Sequence, residues 1–303
     1  MNKNYFEILR PGINSTFQDN GRNNFYHIGI PFSGAMDNRN FLLANTISNN
    51  GMNNPVLEFA YQGPKLKYIG ENISINVTGD VNFKIIRKNK NLEFSCYENI
   101  VLENNDCLDI LSTNRSVYGY LSIGGTFEVD YYLNSCSTNT KAKIGANSGE
   151  KLEKGQIIKL KNIKKILPKN KIEYLNSKIE NIRIIKGPHF DYFSKSAIDL
   201  FFGNEFYVTK LSDRMGIRLK GPKISNIKNT NIKSEGLVKG VIQITADGDP
   251  IIMLSDHGTI GGYPKIGVVI SADYDKLVQI PPGTKIKFKE INLKDAETIF
   301  KLY

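Results

Sequence analysis

The sequence predicts a mainly β protein of the sandwich or barrel type, divided into two domains. Short runs rich in β-branched and aromatic residues recur along the chain, and glycine, asparagine or proline separates each run from the next. Strands at this spacing are typical of sandwiches and barrels, whereas βαβ folds alternate strands with longer helices. The chain has 303 residues, 40% of them hydrophobic, which suffices for two cores of ordinary size.

The predicted strands form two series. The first series is YFEILR, NISINVTG, NFKIIRK, CLDILS and VYGYLSIGG. The second series is NIRIIKG, EFYVTKLS, MGIRLKGP, GVIQITADGDPIIMLS, GVVISAD, KLVQIPPG and KIKFKEI. The letters ADGDP inside the second series predict a turn, because Asp-Gly is followed by Asp-Pro.

Three segments carry helical signals. Asp37 is a suitable N-cap for NRNFLLANTISNN, and Asp191 is a suitable N-cap for a helix in DYFSKSAIDLFFGN that ends near Gly203. The terminal segment LKDAETIFKLY predicts a third short helix. Charge rises and strand periodicity lapses over residues 161–180. The sequence therefore predicts an N-terminal β domain over 1–165 and a C-terminal β domain over 176–303.

The formal net charge of +10 raises the question of nucleic-acid binding. No arginine-rich stripe or stacking motif accompanies the charge, and the densest basic run, KLKNIKKILPKNK, is interrupted by apolar residues and a proline. Such a run is typical of a solvated linker. We therefore predict no nucleic-acid partner.

The three cysteines have no C-x-x-C spacing, which favours a reducing compartment over a disulfide framework. The N-terminal MNKNYFEILRPG has no apolar stretch of the kind found in secretory signals. No apolar run approaches the roughly 18 residues that a membrane span needs. The sequence predicts a cytoplasmic protein without a membrane partner.

The common nucleotide and metal motifs are absent. The chain has no G-x-x-x-x-G-K-[ST] phosphate loop and no G-x-G-x-x-G helix entry. His27, His189 and His257 lie far apart in the sequence, without the spacing of a metal-ligand pair. We therefore predict no metal site.

Four polar, glycine-rich loops lie beside predicted strands, at 16–37, 212–222, 234–244 and 255–273. Each polar residue in them has a structural interpretation, such as helix capping by Asp37 or turn hydrogen bonds to Asp256. Four such loops in one chain favour a composite pocket for a small molecule. The candidate site residues are Arg22, Ser33, Asp37, Arg214, Glu235, Gln243, Asp256, His257, Tyr263 and Lys265.

The last loop is longer than a hairpin requires. Gly261 and Gly262 predict either a positive φ or an approach to a ligand too close for a Cβ atom. Pro264 restricts Tyr263 to extended geometry, which fixes the direction of its ring. We expect residues 256–265 to line the pocket.

Several long motifs occur in order along nearly the whole chain. They are FQDNGRNNFYHIGIPFSGAMDNRNFLLAN, LEFAYQGPKLKY, SDRMGIRLKGP, SEGLVKGVIQITADGDPIIMLSDHGTIGGYPKIGVVISAD and LVQIPPGTKIKF. The sequence thus strongly resembles the family of the 5-oxoprolinase C subunit, also labelled biotin-dependent carboxyltransferase or allophanate hydrolase subunit 2-like. The resemblance implies two β-barrel-like domains of the cyclophilin-like type.

The resemblance also implies three alternative functions. In the 5-oxoprolinase version, the chain acts with the B subunit and with a third, A subunit to open 5-oxoproline to L-glutamate at the expense of ATP. In urea carboxylase, the similar segment belongs to the carboxyltransferase region, which receives carboxyl groups from carboxybiotin. A further relative is a non-catalytic antagonist that binds the B-subunit homologue, an inhibitor of a sensor kinase.

For the 5-oxoprolinase function, the resemblance implies roles for the loop residues. Arg214, Lys265 and Arg22 would stabilise phosphate and oxyanion charge, and Asp256, Glu235 and His257 would handle the water. Tyr263 would orient the substrate, and the residues that would help to bind it are Arg22, Ser33, Asp37, Gln243 and Lys265. Asp256 is expected to contribute more than His257, because relatives vary around His257. The chain has no biotin-attachment signature, so biotin would be carried by another protein.

Overall fold

The computed structural model describes residues 4–169, 171–173, 179, 181–225 and 231–302. The contacts between residues divide the chain into two units. One unit comprises Met1–Arg22 and Ser33–Asn176, and the other comprises Asn23–Phe32 and Ser177–Tyr303. Residues 23–32, predicted to belong to the N-terminal domain, therefore have their contacts in the second unit. Within the predicted linker 161–180, residues 170, 174–178 and 180 lie outside the described residues.

The first unit contains two β-sheets that share one hydrophobic core. Its strands are β1 (Tyr5–Arg10), β2 (Thr16–Gln18), β3 (Val56–Ala60), β4 (Lys65–Ile69), β5 (Ile73–Thr78), β6 (Val81–Arg87), β7 (Lys90–Glu93), β8 (Ile100–Leu102), β9 (Cys107–Thr113), β10 (Tyr118–Ile123), β11 (Thr126–Phe127) and β12 (Ile157–Lys161). The seven-stranded sheet has the order β11-β12-β1-β4-β9-β6-β7, and the five-stranded sheet has the order β2-β3-β10-β5-β8. Both sheets are antiparallel throughout the strand pairs described.

The two sheets differ in how many faces they bury. On β1, β4 and β12 buried and less buried side chains alternate, so one face packs on the core and the other meets solvent. On β3, β5 and β10 every residue is buried. The second face of this sheet is covered by helix α1 (Asn38–Ile47), which lies against β5 and β10.

The second unit is built on a closed barrel. Its strands are β13 (Asn181–Lys186), β14 (Glu205–Val208), β15 (Gly216–Lys220), β16 (Glu235–Gly236), β17 (Val241–Ile244), β18 (Pro250–Met253), β19 (Ile260–Gly261), β20 (Lys265–Val269) and β21 (Lys285–Glu290). The barrel order in the described residues is β13-β20-β17-β18-β15-β14-β21. Strands β13 and β21 close it as a parallel pair, whereas β16 and β19 form a separate two-stranded ribbon.

Three further helices belong to the second unit: α2 (Lys195–Gly203), α3 (Ser271–Val278) and α4 (Leu293–Leu302). Phe201 of α2 stacks on Phe288 of β21, with ring centroids 4.5 Å apart, so this helix packs on the barrel core. Short 3-10 helices occur at Tyr26–Ile28, Asn147–Gly149 and Phe190–Tyr192. No helix within the described residues is long and apolar enough to cross a membrane.

The prediction of a mainly β fold with a few short helices is confirmed. The closed barrel forms in the second unit, while the described strands of the first unit form two facing sheets. Three local predictions are wrong. The N-cap of α2 is Ser194, whose side chain accepts from the Ala197 N–H, and not Asp191. The segment SAD, read as the end of a strand, begins α3, and KLV, read as a strand, ends it.

Candidate functional site

The predicted site residues fall in both units. Arg22, Ser33 and Asp37 belong to the first unit, and all the others belong to the second. Within the second unit they form an Arg214–Asp256 pair and a cluster around Lys265, while His257 follows Asp256 in the chain. The structure therefore gives three local environments in the second unit and one in the first.

In the first unit, the loop containing Arg22 is held by a buried carboxylate. Asp19 accepts hydrogen bonds from the hydroxyls of Ser135 and Ser137, both at 2.6 Å, and from the main-chain N–H groups of Gly21 and Cys136, both at 2.8 Å. The buried Arg22 guanidinium donates to the carbonyls of Ser137 and Tyr132. These contacts give Arg22 a structural role in holding the loop together.

Ser33 and Asp37 also make structural contacts. Ser33 has a positive φ of 56°, and its hydroxyl accepts from the Asn139 side chain at 3.1 Å. Asp37 caps α1, as its position in the sequence predicts: its carboxylate accepts from the Asn40 main-chain N–H at 2.9 Å. Substrate binding by the first-unit residues Arg22, Ser33 and Asp37 stays a prediction.

Arg214 and Asp256 form a two-point ion pair in the second unit. Arg214 precedes β15 and Asp256 follows β18, and these strands pair antiparallel, so the two loops meet at one end of the pair. The Arg214 Nε and Nη2 atoms lie 2.8 and 3.1 Å from the two Asp256 carboxylate oxygens. The Asp256 side chain is 4% exposed. Such a fork holds the guanidinium in one plane.

His257 is buried with its tautomer defined by a neighbour. Its Nδ1 atom lies 2.6 Å from the Gly258 carbonyl, and because a carbonyl only accepts, Nδ1 carries the proton. Nε2 then carries a lone pair, which is buried and has no hydrogen-bond partner among the described residues. Burial lowers the pKa of His257 below its ordinary value. The imidazole is therefore a neutral acceptor.

Tyr26 supports His257 and was not found by sequence reasoning. Its hydroxyl donates to the Leu237 carbonyl at 2.5 Å and lies 3.3 Å from His257 Nδ1. Burial raises the pKa of Tyr26 to about 12, so the hydroxyl stays protonated. The sequence offered no signal for this contact, because residues 23–32 belong to the second unit only through tertiary contacts.

Lys265 forms the centre of the third environment. Its side chain on β20 is 4% exposed, and its Nζ atom lies 3.1 Å from an oxygen of Glu235, whose side chain is 48% exposed. His189, also missed from the sequence, points Nε2 at the same Glu235 oxygen from 3.5 Å. The hydrogen bond from Lys265 lowers the pKa of Glu235, and His189 adds to the effect. Glu235 is therefore held as an anion.

Gln243 and Tyr263 fix the strand that leads into Lys265. Gln243 lies opposite Lys265 in the β17–β20 pair and donates from its amide to the Tyr263 carbonyl at 3.1 Å. Neither Gly261 nor Gly262 has a positive φ, so that part of the prediction is wrong. A Cβ atom on Gly261 would lie 2.7 Å from the Gln243 amide nitrogen. Gly261 therefore leaves room for the Gln243 side chain.

Besides these loop environments, the first unit contains a cavity. This cavity of about 310 Å³ is lined by Gly79, Asp80, Val81, Phe94, Ser95, Cys96 and Tyr97, none of them a predicted site residue. Burial raises the pKa of the Cys96 thiol to about 11, so this cysteine is not an activated nucleophile. No cluster of three or more potential metal ligands occurs in the part of the chain that the structure describes.

Known proteins are similar to this chain over almost its whole length. The family described as "Carboxyltransferase domain, subdomain A and B" matches residues 28–290. The chain is 28% identical to the 5-oxoprolinase C subunit of Escherichia coli and 29% identical to that of Haemophilus influenzae, covering 96% of this chain and 92% of the relative in both cases. It is 30% identical to urea amidolyase of Lachancea kluyveri over 97% of this chain but 17% of that protein.

Two solved structures show the same fold. The Kluyveromyces lactis urea amidolyase has a TM-score of 0.86 at 29% identity, covering 98% of this chain and 19% of that one. The urea carboxylase of the same organism has a TM-score of 0.87 at 28% identity, covering 98% of this chain and 28% of that one. The chain thus spans a minor part of both enzymes.

Proposed function

The chain belongs to the carboxyltransferase-domain family with subdomains A and B, and from this we propose that it is the C subunit of an ATP-dependent 5-oxoprolinase. In this role it would open the lactam ring of 5-oxo-L-proline to L-glutamate together with the A and B subunits. The single observation that supports this most is the match to two proteins of that name over 92% of their length. The urea amidolyases match over only 17% of theirs.

The chemistry demands activation of a poor electrophile. A lactam carbonyl resists attack by water, because amide resonance is lost in the tetrahedral intermediate. Transfer of a phosphoryl group from ATP to the carbonyl oxygen, with release of ADP, would make the carbon more electrophilic. Water would then add to this carbon, and the C–N bond would break with proton transfer to the nitrogen. The resulting acyl phosphate would be hydrolysed by a second water to L-glutamate and phosphate. The site must supply positive charge for the developing oxyanion and phosphate, and a base for the water.

The contacts in the second unit support a division of these roles. Arg214, held in one plane by Asp256, and Lys265 are partly or fully buried cations that could stabilise negative charge. Asp256 and Glu235 are already bonded to these cations. His257 Nε2 has a lone pair that no described residue uses, so it is the better candidate for accepting the proton of a water admitted to this buried position. The geometry therefore favours His257 for proton transfer, whereas the sequence ranked Asp256 above it.

The remaining components would come from other chains. ATP is a co-substrate of the complex, and this chain has no glycine-rich phosphate loop of its own. The A and B subunits are the proposed partners, and the chain would be active only with them. A cytoplasmic location fits its three free cysteines.

Reconstitution tests the proposal. The chain is mixed with homologues of the A and B subunits, and 5-oxoproline-dependent ATP hydrolysis and L-glutamate formation are measured together. Both activities are expected only in the complete mixture. ATP hydrolysis without glutamate formation, or equal activity without this chain, would refute the assignment.

A second candidate function is transfer of a carboxyl group from biotin carried by another protein. It is favoured by the urea carboxylase and urea amidolyase structures, with TM-scores of 0.87 and 0.86. The discriminating assay offers a biotinylated carrier, a biotin carboxylase and urea in place of 5-oxoproline. Urea-dependent turnover would establish this function, and tight binding to the B-subunit homologue without turnover in either assay would indicate a non-catalytic antagonist.

A further inference from the structure

Two buried hydrogen-bond donors in the second unit converge on one oxygen of a half-exposed carboxylate. The Lys265 and His189 side chains are 4% and 9% exposed, and both reach the same Oε2 atom of Glu235, at 3.1 and 3.5 Å. The carboxylate is much less buried than the two donors that hold it. This difference in burial makes the donors, rather than the acceptor, the fixed part of the arrangement.

The tautomer of His189 is set by Lys265 itself. The Lys265 main-chain N–H donates to His189 Nδ1 at 3.3 Å, so in the neutral ring the proton is on Nε2, the atom that faces the carboxylate. The His189 main-chain N–H in turn donates to the Lys265 carbonyl at 3.3 Å. Gly187 permits this approach, because a Cβ atom there would lie 2.3 Å from the Lys265 carbonyl oxygen.

Glu235, in contrast, is carried on a small element. It lies on the two-residue strand β16, which pairs with β19 and with no barrel strand among the described residues. A half-exposed glutamate can rotate into water at little cost, whereas a buried ammonium needs an anion beside it. A carboxylate from another molecule can therefore take the place of the Glu235 carboxylate.

We propose that Lys265 and His189 form a subsite for the carboxylate of a small organic acid, and that Glu235 occupies this subsite until the acid displaces it. The resident group is itself a carboxylate held by an ammonium and one ring N–H, and this matches a carboxylate ligand. The inference rests on the proposed function only for the identity of the acid, which is 5-oxoproline. In this acid the carboxylate is on the carbon next to the lactam nitrogen.

Isothermal titration calorimetry on the chain with three probes tests the subsite. The probes are 5-oxoproline, cyclopentanecarboxylate, which lacks the lactam, and 2-pyrrolidinone, which lacks the carboxylate. Glu235→Gln removes the internal competitor. If Glu235 fills the subsite about nine-tenths of the time, both carboxylates should bind about tenfold more tightly to this variant, and 2-pyrrolidinone should be unaffected. Lys265→Met should lose carboxylate binding.

The control is Glu205→Gln, which removes one charge from an exposed ion pair with Lys285 in the same unit and should leave all three affinities unchanged. Weaker or unchanged carboxylate binding in Glu235→Gln overturns the subsite, and so does absence of carboxylate binding to both wild type and this variant. If Lys265→Met fails to fold, the sign of the Glu235→Gln effect still decides. Tighter cyclopentanecarboxylate binding with no advantage for 5-oxoproline supports the subsite and contradicts the 5-oxoprolinase assignment.

Discussion

At the residue scale, the charged candidates of the second unit are distinguished by their bonding partners. Asp256 is bonded at both oxygens by Arg214, Glu235 is bonded by Lys265, and His257 retains a buried lone pair. These ionisable groups therefore differ in their capacity to accept a proton, because a carboxylate already paired with a cation is a weaker base than an imidazole without an ionic partner. The residue-scale predictions follow from this difference.

Arg214→Lys should abolish most activity of the reconstituted complex while the chain melts close to the wild-type temperature. Lysine keeps the charge but cannot make the two parallel bonds that Asp256 accepts. The measurements are 5-oxoproline-dependent ATP hydrolysis and thermal melting, with Arg218→Lys as control on the exposed face of β15. Full activity in Arg214→Lys would leave this arginine with a structural role alone.

Asp256→Asn should reduce the same activity by at least about tenfold, worth roughly 1.4 kcal/mol of transition-state stabilisation, because Arg214 loses its two-point partner. His257→Gln should reduce it by about a hundredfold if Nε2 is the proton acceptor. Asp213→Asn, in the adjacent turn, serves as the charge-matched control. A larger loss in Asp256→Asn than in His257→Gln would restore the ranking made from the sequence.

His257 should also make stability depend on pH. Its pKa is lowered in the folded chain by burial, from an ordinary value of 6.5. Below pH 6.5 the unfolded chain therefore binds a proton that the folded chain resists, and the free energy of unfolding falls as pH decreases toward the folded-state pKa. The fall should be smaller in His257→Gln, and His27→Gln, which alters an exposed ring, serves as the control. Equal pH profiles for wild type and His257→Gln would contradict this.

At the element scale, the start of helix α2 was predicted wrongly because two residues suited to an N-cap lie close together. Asp191 and Ser194 are both good N-cap types, and both precede the helix. Asp191 lies within a 3-10 helix over Phe190–Tyr192, so the α-helix begins three residues later than predicted.

Ser194→Ala should destabilise the second unit by about 1 kcal/mol, because the Ala197 N–H loses its acceptor at the helix N-terminus. Asp191→Ala should change stability by less than about 0.5 kcal/mol, as expected for an exposed side chain outside the cap. Urea unfolding followed by circular dichroism measures both. Equal losses in the two variants would mean that Asp191 supports the helix as well.

At the scale of the whole molecule, the proposed function requires partner subunits. The second unit exposes large apolar side chains on its ribbon and on the neighbouring segment, namely Ile28, Val238 and Ile260, at 60%, 55% and 63% exposure. Exposed apolar groups of this kind occur at protein interfaces. They are available for contact with a partner subunit.

The chain should co-purify with its B-subunit homologue through an interface burying more than about 1,000 Å². Size-exclusion chromatography with light scattering at micromolar concentration measures the mass of the mixture. A peak of the summed mass is the expected result. Two separate monomers would contradict the assembly, whatever activity each shows.

The sequence alone determined the mainly β class, most strands, helices α1 and α4 and the Asp37 cap, because each depends on local periodicity or on residues a few positions apart. It also singled out the loop from Ser255 to Lys265 as more polar than a turn requires. Its failures were local too: SADYDKLV combines apolar and polar residues in a way that suits a strand or a short helix, and only packing chose the helix.

The tertiary structure decided the partners of each candidate. Arg214 meets Asp256, 42 positions away, because β15 pairs with β18. His189 meets Lys265, 76 positions away, because β13 pairs with β20. Tyr26 reaches His257 over 231 positions, since residues 23–32 belong to the second unit. Such contacts leave no periodic trace in the sequence: strand pairing fixes which loops meet, and burial then fixes which ionisable groups must be paired or neutral.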